Sequence, residues 1–426
     1  MNVTDSFEEV MPCTPLQDAM LLETAVDPAA YNNFVELRVE GGMDPDRIMQ
    51  ALGELVEHNP VLRTGFVECE SEWSAFTMVV WPKLDQGQIV VVASDDEETS
   101  AGLEMLRPLR MRVRVFEDHA LVRWDIHHAL YDGWALELVV KDLETILSSP
   151  SFSTSTSSSS TSADSTNGSS KIALTPRPPF RSLVEHTLRL ASSSLETQKQ
   201  YWKDHLAHFS PRSLPSFHST ADAARGLDVV GYTTSISTAA LDKAAAAVGA
   251  SPQALVQTAY AMVLASYLGT TDVCFGSVFS GRSADVEGIE EIVGPCIATL
   301  PVRVDVQGEV KDVVGAMQRV MRRHMENEAL GLREIQGLME GESEGGVFDT
   351  LVIWQQSLAT DDEGEGRKKV ELLRARDYLE FVLTLEVTPG NGGRGAGKVM
   401  LDANYQTAVF GREMIEVLLK IGRAHV

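Results

Sequence analysis

The spacing of apolar residues predicts a strand, a turn and a helix on either side of residue 127. Two apolar-rich runs, 111–116 and 120–126, are separated by the polar residues 117–119, a pattern typical of a β-hairpin. An amphipathic helix is predicted to begin near Trp134, because apolar residues then recur at spacings of three and four: Leu136, Val139, Val140, Leu143, Ile146 and Leu147. The segment 127–133 therefore connects the end of a strand to the start of a helix.

Similar patterns predict that residues 1–147 form one α/β lobe. An alternating run at 34–39 predicts a strand, and the Asp44–Pro45 step caps a helix that must end before Pro60. Further strands are predicted at 73–81 and 89–92. The lobe is thus an α/β sandwich that carries the 127–133 segment near its end.

A change of composition separates this lobe from a second one. Residues 148–170 are almost entirely serine and threonine, so this stretch has little to bury and is predicted to be disordered. We therefore divide the chain into a lobe at 1–147, a linker or insertion at 148–176 and a second lobe at 177–419. The second lobe is predicted to contain helices at 181–190, 198–208 and 252–267, and strands within 272–282, 293–304, 347–356, 380–387 and 398–405.

Charge and composition argue against several classes of protein. The chain has 426 residues and a formal net charge of −25, which argues against nucleic acid or an anionic membrane as the main partner. No apolar run is long enough to span a bilayer, and the acidic N-terminus lacks secretory features, so we expect a cytoplasmic protein. Neither a phosphate-binding glycine motif nor metal-ligand spacing occurs. The dispersed cysteines are expected to be reduced and buried: Cys13, Cys69, Cys274 and Cys296.

The residues of the connecting segment suggest no function when each is considered alone. His127 and His128 point to opposite faces, because side chains alternate along a strand. A histidine at a strand end is more often structural than catalytic, and an aspartate such as Asp132 before a helix is more often its N-cap.

The whole string His127–Gly133, HHxxxDG, is more specific. It resembles the signature of the condensation domains of nonribosomal peptide synthetases, within the chloramphenicol-acetyltransferase-like superfamily. Other motifs of that family have counterparts in order along the chain: PCTPLQDAML at 12–21, HNPVLRTGF at 58–66, YWKDHL at 201–206, DVCFGSVFSGR at 272–282, VGPCIATLPVRV at 293–304 and VFDTLVIWQQ at 347–356. Cys296 is a departure, because an aromatic residue is common at its position in the family.

The resemblance implies a fold and a set of partners. It implies two acetyltransferase-like lobes arranged as a V-shaped pseudo-dimer, with a tunnel between them that admits a phosphopantetheine arm from each side. One arm brings the donor thioester and the other the acceptor amine. The 4'-phosphopantetheine therefore belongs to partner carrier domains, which an adenylation domain loads, and the chain itself needs neither metal nor nucleotide.

The resemblance also assigns roles to single residues. His128 accepts or relays a proton, or positions the amine, and the sequence leaves these two roles open. Asp132 pairs with an arginine, for which Arg282 is the first candidate and Arg63 the second. The backbone amide of Gly133 lies near the reacting centre, and His127 is structural. Candidates for lining the tunnel are Tyr131, Trp134, Ser280, Gly281, Thr299, Trp354 and Gln355.

Two alternatives to peptide-bond formation remain open, as does the extent of the natural chain. A terminal domain of the same fold would cyclise or release a chain by forming an amide or an ester. A condensation-like module could recruit a partner without catalysis, although such relatives usually lose the active histidine and His128 is present. The chain could also be a fragment of a larger synthetase, since residues 420–426, KIGRAHV, match one reading frame of a common sequencing adapter and are expected to be an artefact.

Overall fold

The computed structural model describes residues 7–69, 74–85, 87–92, 103–149, 174–214, 226–339, 346–355, 369–376, 381–390 and 397–421. The strands are β1 Glu9–Pro12, β2 Asn32–Glu40, β3 Thr64–Glu68, β4 Phe76–Val80, β5 Ile89–Val91, β6 Leu109–Val115, β7 His119–His127, β8 Leu227–Ser237, β9 Asp272–Phe279, β10 Ala298–Asp305, β11 Thr350–Trp354, β12 Val370–Arg376, β13 Leu383–Pro389 and β14 Lys398–Gln406. The helices are α1 Pro15–Val26, α2 Pro45–His58, α3 Gly133–Ser148, α4 Arg181–Leu206, α5 Thr238–Ala247, α6 Pro252–Leu268, α7 Val310–Met325, α8 Leu332–Gln336 and α9 Arg412–Ile421.

The chain folds into two compact units that are not consecutive in sequence. Unit 1 consists of Met1–Glu185, Asp285–Pro295 and Thr360–Tyr378, and unit 2 consists of His186–Ala284, Cys296–Ala359 and Leu379–Val426. This division differs from the predicted consecutive lobes, because two later segments belong to unit 1. One of them contains β12, which pairs antiparallel with β2 and completes the edge of the unit 1 sheet.

Unit 1 contains a five-stranded sheet and a three-stranded sheet. The strand orders are β12-β2-β7-β6-β5 and β1-β4-β3. The predicted hairpin is confirmed, because β6 and β7 pair antiparallel with Val113 opposite Val122. Alternate residues of β7 are fully buried, Trp124 among them, and helices α2 and α3 pack against each other. This arrangement fixes the end of β7, and with it the HHxxxDG segment.

Unit 2 is built on one six-stranded sheet with the order β10-β9-β11-β13-β14-β8. Strand β11 runs parallel to both β9 and β13, whereas the other pairs are antiparallel. The core contains Trp202 of α4, Phe275 of β9 and Met317 of α7, all of them fully buried.

The prediction of separate helices at 181–190 and 198–208 is wrong, since α4 is continuous over Arg181–Leu206. The serines in its middle do not interrupt the helix, and the hydroxyls of two of them bond to carbonyl groups one turn back. The Ser192 hydroxyl donates to the Leu188 carbonyl and the Ser194 hydroxyl to that of Leu190, each at 2.8 Å.

The structure also bears on the predicted state of the cysteines and on the membrane prediction. None of the four cysteines forms a disulfide, but Cys69 is only half-buried, whereas Cys13, Cys274 and Cys296 are buried as predicted. No helix among the described residues is long and apolar enough to cross a membrane. The serine- and threonine-rich residues 150–170, Trp73 and residues 422–426 lie outside the described ranges, while Lys420 and Ile421 belong to α9.

Candidate active site at the end of strand β7

The HHxxxDG segment forms a short turn between β7 and α3. His127 is the last residue of β7, where it pairs with Asn32 of β2, and a single 3-10 turn follows at His128–Leu130. The backbone N–H of His128 donates to the carbonyl oxygen of Tyr31 at 2.9 Å. Asp132 then caps α3, and its Oδ1 accepts the backbone N–H of Ala135 at 2.7 Å. The turn is therefore fixed at both ends by hydrogen bonds.

The two ring nitrogens of His127 are both engaged inside the protein. The ring is fully buried, and Nδ1 accepts the backbone N–H of Ala129 at 3.1 Å. Nε2 lies 2.8 Å from the hydroxyl of Thr24, which itself donates to the carbonyl of Met20. Nε2 must therefore carry the proton. Burial, with a contribution from the neighbouring His128, lowers the pKa of His127 to about 3, so the ring is neutral.

His128 is held differently, because its ring is half-buried and its Nδ1 faces a carbonyl group. Nδ1 lies 3.0 Å from the carbonyl oxygen of Tyr131. A carbonyl oxygen only accepts hydrogen bonds, so Nδ1 carries the proton and Nε2 carries the lone pair. The ring of Tyr131 stacks on His128 with centroids 4.9 Å apart. The hydroxyl of Tyr131 accepts the amide of Asn33 at 3.0 Å, which fixes the stacked ring.

Gln17 of α1 connects the PCTPLQ motif to this turn. Its side-chain Nε2 donates to the carbonyl oxygen of Ala129 at 2.9 Å. Its Oε1 accepts the backbone N–H of Thr14 at 3.0 Å, and the Thr14 hydroxyl accepts the N–H of Gln17 at 3.3 Å. This capping box both starts α1 and holds the Gln17 amide toward the turn. The prediction used Gln17 only as part of a motif, although the Thr-x-x-Gln spacing was visible in the sequence.

The other contacts of the turn could not be predicted from the sequence. Thr24, Tyr31 and Asn33 hold the two histidines and Tyr131 through single hydrogen bonds, and nothing in their spacing distinguishes them from ordinary helix and strand residues. They are brought to the turn by the pairing of β2 with β7 and by the packing of α1 on the 3-10 turn.

The two arginines proposed as partners of Asp132 occupy different units. Arg63 is buried in unit 1, where its guanidinium donates to the carboxylate of Glu8 and to the carbonyl oxygen of Trp81. It thereby ties together β1 and the end of β4. Arg282 is buried in unit 2, three residues beyond the end of β9. The pairing of Asp132 with Arg282 stays a prediction.

Gly133 and Trp134 are the first two residues of α3. Gly133 is the first residue of the helix and is exposed to solvent. Backbone N–H groups in the first turn of a helix lack partners within the helix, so this position can offer a hydrogen bond to an anion. The indole N–H of Trp134 donates to the carbonyl oxygen of Glu290 at 2.8 Å, which ties α3 to the 285–295 segment of unit 1.

The remaining tunnel candidates share one edge of the unit 2 sheet: Ser280, Gly281, Thr299, Trp354 and Gln355. The parallel strands β9 and β11 end at this edge, and the antiparallel β10 begins there with Ala298 opposite Phe279. Gly281 has a φ of +63°, and a Cβ atom at this position would overlap the carbonyl oxygen of Cys296. The structure therefore groups these residues, and their role in a tunnel stays a prediction.

Comparison with known proteins shows the family to which the chain belongs. The sequence profile of the condensation domain matches residues 7–425. The chain belongs to the condensation-domain family. Among curated proteins it is 34% identical, over 89% of its length, to nonribosomal peptide synthetase 2 of Cochliobolus heterostrophus, of which it spans 7%. It is 29% identical, over 99% of its length, to nonribosomal peptide synthetase sidC of Arthroderma benhamiae, of which it spans 8%. This condensation domain thus covers less than a tenth of either relative.

Solved structures confirm the predicted chloramphenicol-acetyltransferase-like fold. The condensation domain resembles a four-domain nonribosomal peptide synthetase, holo-AB3403, with a TM-score of 0.75 and 14% identity over 98% of this chain and 33% of that one. It resembles the X-domain from teicoplanin biosynthesis with a TM-score of 0.73 and 18% identity, over 96% of this chain and 92% of that one. At these identities the likeness shows the fold alone.

Proposed function

We propose that this condensation domain joins a carrier-bound acyl or peptidyl thioester to a carrier-bound amine and forms a peptide bond. The observation that supports the proposal is the orientation of His128. Its Nδ1–H is bonded to the carbonyl of Tyr131, and this bond leaves the lone pair of Nε2 available as a proton acceptor. The strand-end turn that carries it is the motif that identifies the family.

The proposed reaction balances without a metal or a nucleotide. The amine nitrogen of the acceptor attacks the thioester carbonyl carbon, and the resulting tetrahedral intermediate carries an oxyanion. The amine proton passes to Nε2 of His128, and the carbon–sulfur bond then breaks. The proton leaves with the thiolate, which gives the free thiol of the donor arm and the new amide.

The surroundings of His128 suit this transfer. The imidazolium that forms keeps its Nδ1–H on the Tyr131 carbonyl, whose negative end stabilises the added charge. The Gly133 N–H at the beginning of α3 is the proposed donor to the oxyanion. Asp132 acts through the turn, because its carboxylate is fully buried and caps α3. It is a positioning residue rather than a proton donor.

The substrates are proposed to arrive on the phosphopantetheine arms of an upstream donor carrier and a downstream acceptor carrier. An adenylation domain, in the same chain or a separate one, would load them. These partners are proposed by analogy with the relatives, which are nonribosomal peptide synthetases by name and much longer than this chain.

The test uses the condensation domain with two carrier domains loaded with a panel of aminoacyl groups. Intact-protein mass spectrometry should show the donor mass transferred to the acceptor carrier in the parent protein and in His119→Ala, but not in His128→Ala. His119 is a suitable control because it lies on the same strand, at the opposite end. Product released into solution instead would support a cyclising or releasing domain, and no transfer with any pair would contradict catalysis.

A further inference from the structure

The 285–295 segment of unit 1 is held by two hydrogen bonds, one from Trp134 of α3 and one from Arg177. The indole N–H of Trp134 donates to the carbonyl of Glu290 at 2.8 Å. The guanidinium of Arg177 donates from Nη1 to Oε2 of Glu291 at 2.7 Å. The segment, which we call the return segment, is therefore held beside the first turn of α3, next to Gly133.

Arg177 is itself anchored on α3 by a buried ion pair. It donates from Nε and Nη2 to the two carboxylate oxygens of Asp142, at 2.9 Å and 2.6 Å. The Asp142 carboxylate also accepts the amide of Asn59 at 3.1 Å, and Nη2 of Arg177 reaches the carbonyl of Leu138 at 3.3 Å. The side chains of Arg177 and Asp142 are only 11% and 8% exposed. Two-point pairing of this kind fixes direction as well as distance.

The residues after Arg177 fit closely against the return segment. A Cβ atom on Gly288 would come within 2.7 Å of Pro178, and one on Gly294 would overlap the ring of Phe180. Side chains are therefore excluded at both glycines. The close fit is independent of the ion pair and leads to the same conclusion, that the segment occupies one defined position on unit 1.

We propose that Arg177 is a positioning residue, which holds the return segment in register with the first turn of α3 by bridging Asp142 and Glu291. The first turn of α3 carries Gly133, the proposed donor to the oxyanion. The kinetic part of this proposal rests on the proposed function. Misplacement of groups at a site by about 1 Å can cost about 100-fold in rate.

The decisive variant is Glu291→Ala, because it removes the carboxylate that accepts the Arg177 hydrogen bond and leaves the Arg177–Asp142 pair in place; the Glu291 side chain is 64% exposed. Hydrogen exchange of the 285–295 amides should rise severalfold, and the indole ¹⁵N–¹H resonance of Trp134 should shift, with no change in the unfolding midpoint. In the condensation assay, kcat should fall about tenfold with KM little changed. Arg177→Ala should show a larger effect of the same kind, and Arg177→Lys a partial recovery.

Arg112→Ala is the matched control, because Arg112 also donates two hydrogen bonds to one carboxylate, from Nε and Nη2 to Oδ2 of Asp125 in the five-stranded sheet. It should lower stability without altering exchange in the return segment. Unchanged exchange and an unchanged Trp134 resonance in Arg177→Ala would overturn the proposal, as would an equal fall of kcat in Arg112→Ala. Failure of the parent protein to form amides would contradict the proposed function instead, since the exchange and resonance measurements need no substrate.

Discussion

His128 in unit 1 and His324 in unit 2 differ in how many of their ring nitrogens form hydrogen bonds within the protein. His324 belongs to an aromatic cluster formed by Tyr201, Trp202, His205 and His324. Its Nδ1 lies 2.7 Å from the Tyr201 hydroxyl, and its Nε2 lies 2.8 Å from the carbonyl of Pro301. The ring is fully buried, and burial lowers its pKa to about 3. His128 is half-buried, with one nitrogen bonded to the backbone and the other available for a proton.

His127 resembles His324 more closely than it resembles its own neighbour. Both rings are fully buried with two hydrogen-bonded nitrogens, and both have a pKa near 3. A ring in this state can neither take up a proton near neutrality nor reach a substrate. His127 and His128 are adjacent in the chain, but they differ in the environment of the second ring nitrogen. This difference supports the proposal that His128, and not His127, acts on the substrate.

The largest expected effects are a loss of turnover when His128 is replaced and a loss of stability when His324 is replaced. His128→Ala should lower turnover by about 10²–10⁴-fold if His128 is a general base, with little change in the free energy of unfolding. His324→Ala should cost about 2–5 kcal/mol in unfolding free energy, because it leaves a cavity and removes the partner of the Tyr201 hydroxyl. Single-turnover assays and urea unfolding measure the two quantities.

His119→Ala serves both measurements as the control, since that residue lies at the far end of β7. A loss of less than about tenfold in His128→Ala would favour positioning of the amine over proton transfer. A comparable loss of stability in His128→Ala and His324→Ala would contradict the distinction drawn between the two regions.

The next test concerns the Gln17 amide, because its hydrogen bond connects α1 to the turn that carries His128. Gln17→Leu leaves the buried carbonyl of Ala129 without its amide donor, which should cost about 1–3 kcal/mol. Turnover should fall as well, because the 3-10 turn that carries His128 is loosened. Gln50→Leu is the control, since the Gln50 amide bonds only across the exposed face of α2, to Glu54. Equal unfolding free energies for the two variants would contradict the proposed role of Gln17.

Lowering the pH should destabilise both units, because each contains buried histidine rings that are neutral in the folded state. The pKa values of His127 and His324 are lowered to about 3, and that of His205 to about 4, chiefly by burial in each case. The unfolded value is 6.5, so the stability associated with neutral rings is complete above about pH 6.5 and is lost as the pH falls toward the folded values. Each ring should contribute a loss of about 1 kcal/mol per pH unit between pH 6.5 and 4.5.

Glu328 of unit 2 acts in the opposite direction. Burial raises its pKa from 4.5 to about 7, so the folded state takes up this proton first and gains stability as the pH falls between those values. Glu328→Gln should therefore steepen the acid loss, and His324→Gln should reduce it, each by about 1 kcal/mol per pH unit. Urea unfolding of the three proteins at pH 7, 6 and 5 measures the slopes. Slopes that are identical would show that these groups titrate alike in the folded and unfolded chain.

The sequence predicted the part of the site that is local in the chain. The hairpin, the strand end at His127 and the helix after Asp132 follow from apolar spacing and capping, and the structure has all three. The sequence did not predict contacts that join distant segments, such as Gln17 with Ala129, because periodicity describes one element at a time. The motif predicted a catalytic role for His128, which stays a prediction, but it did not predict the Tyr131 carbonyl that fixes the tautomer of His128.

The limits of periodicity are also visible in the two units. Strand β12 completes the unit 1 sheet, but it was not predicted. Its partner β2 lies more than 300 residues earlier in the chain, and local periodicity does not indicate such a pairing. Helix α4 was predicted as two helices, whereas the structure has one continuous helix over Arg181–Leu206. The pairing of β12 thus depends on long-range contacts that override local preference.

The smallest expected effect tests whether α4 is continuous on its way to the aromatic cluster. Ser193 is exposed in the middle of the serine run, so its replacement changes backbone preference and little else. Within a continuous helix Ser193→Ala should be about 0.5–1 kcal/mol more stable than Ser193→Gly. Because Tyr201 and Trp202 lie on the same helix, Ser193→Gly should also loosen the cluster around His324, which tryptophan fluorescence would report. Equal stability of the two variants would place a break at this position and separate the cluster from the first half of α4.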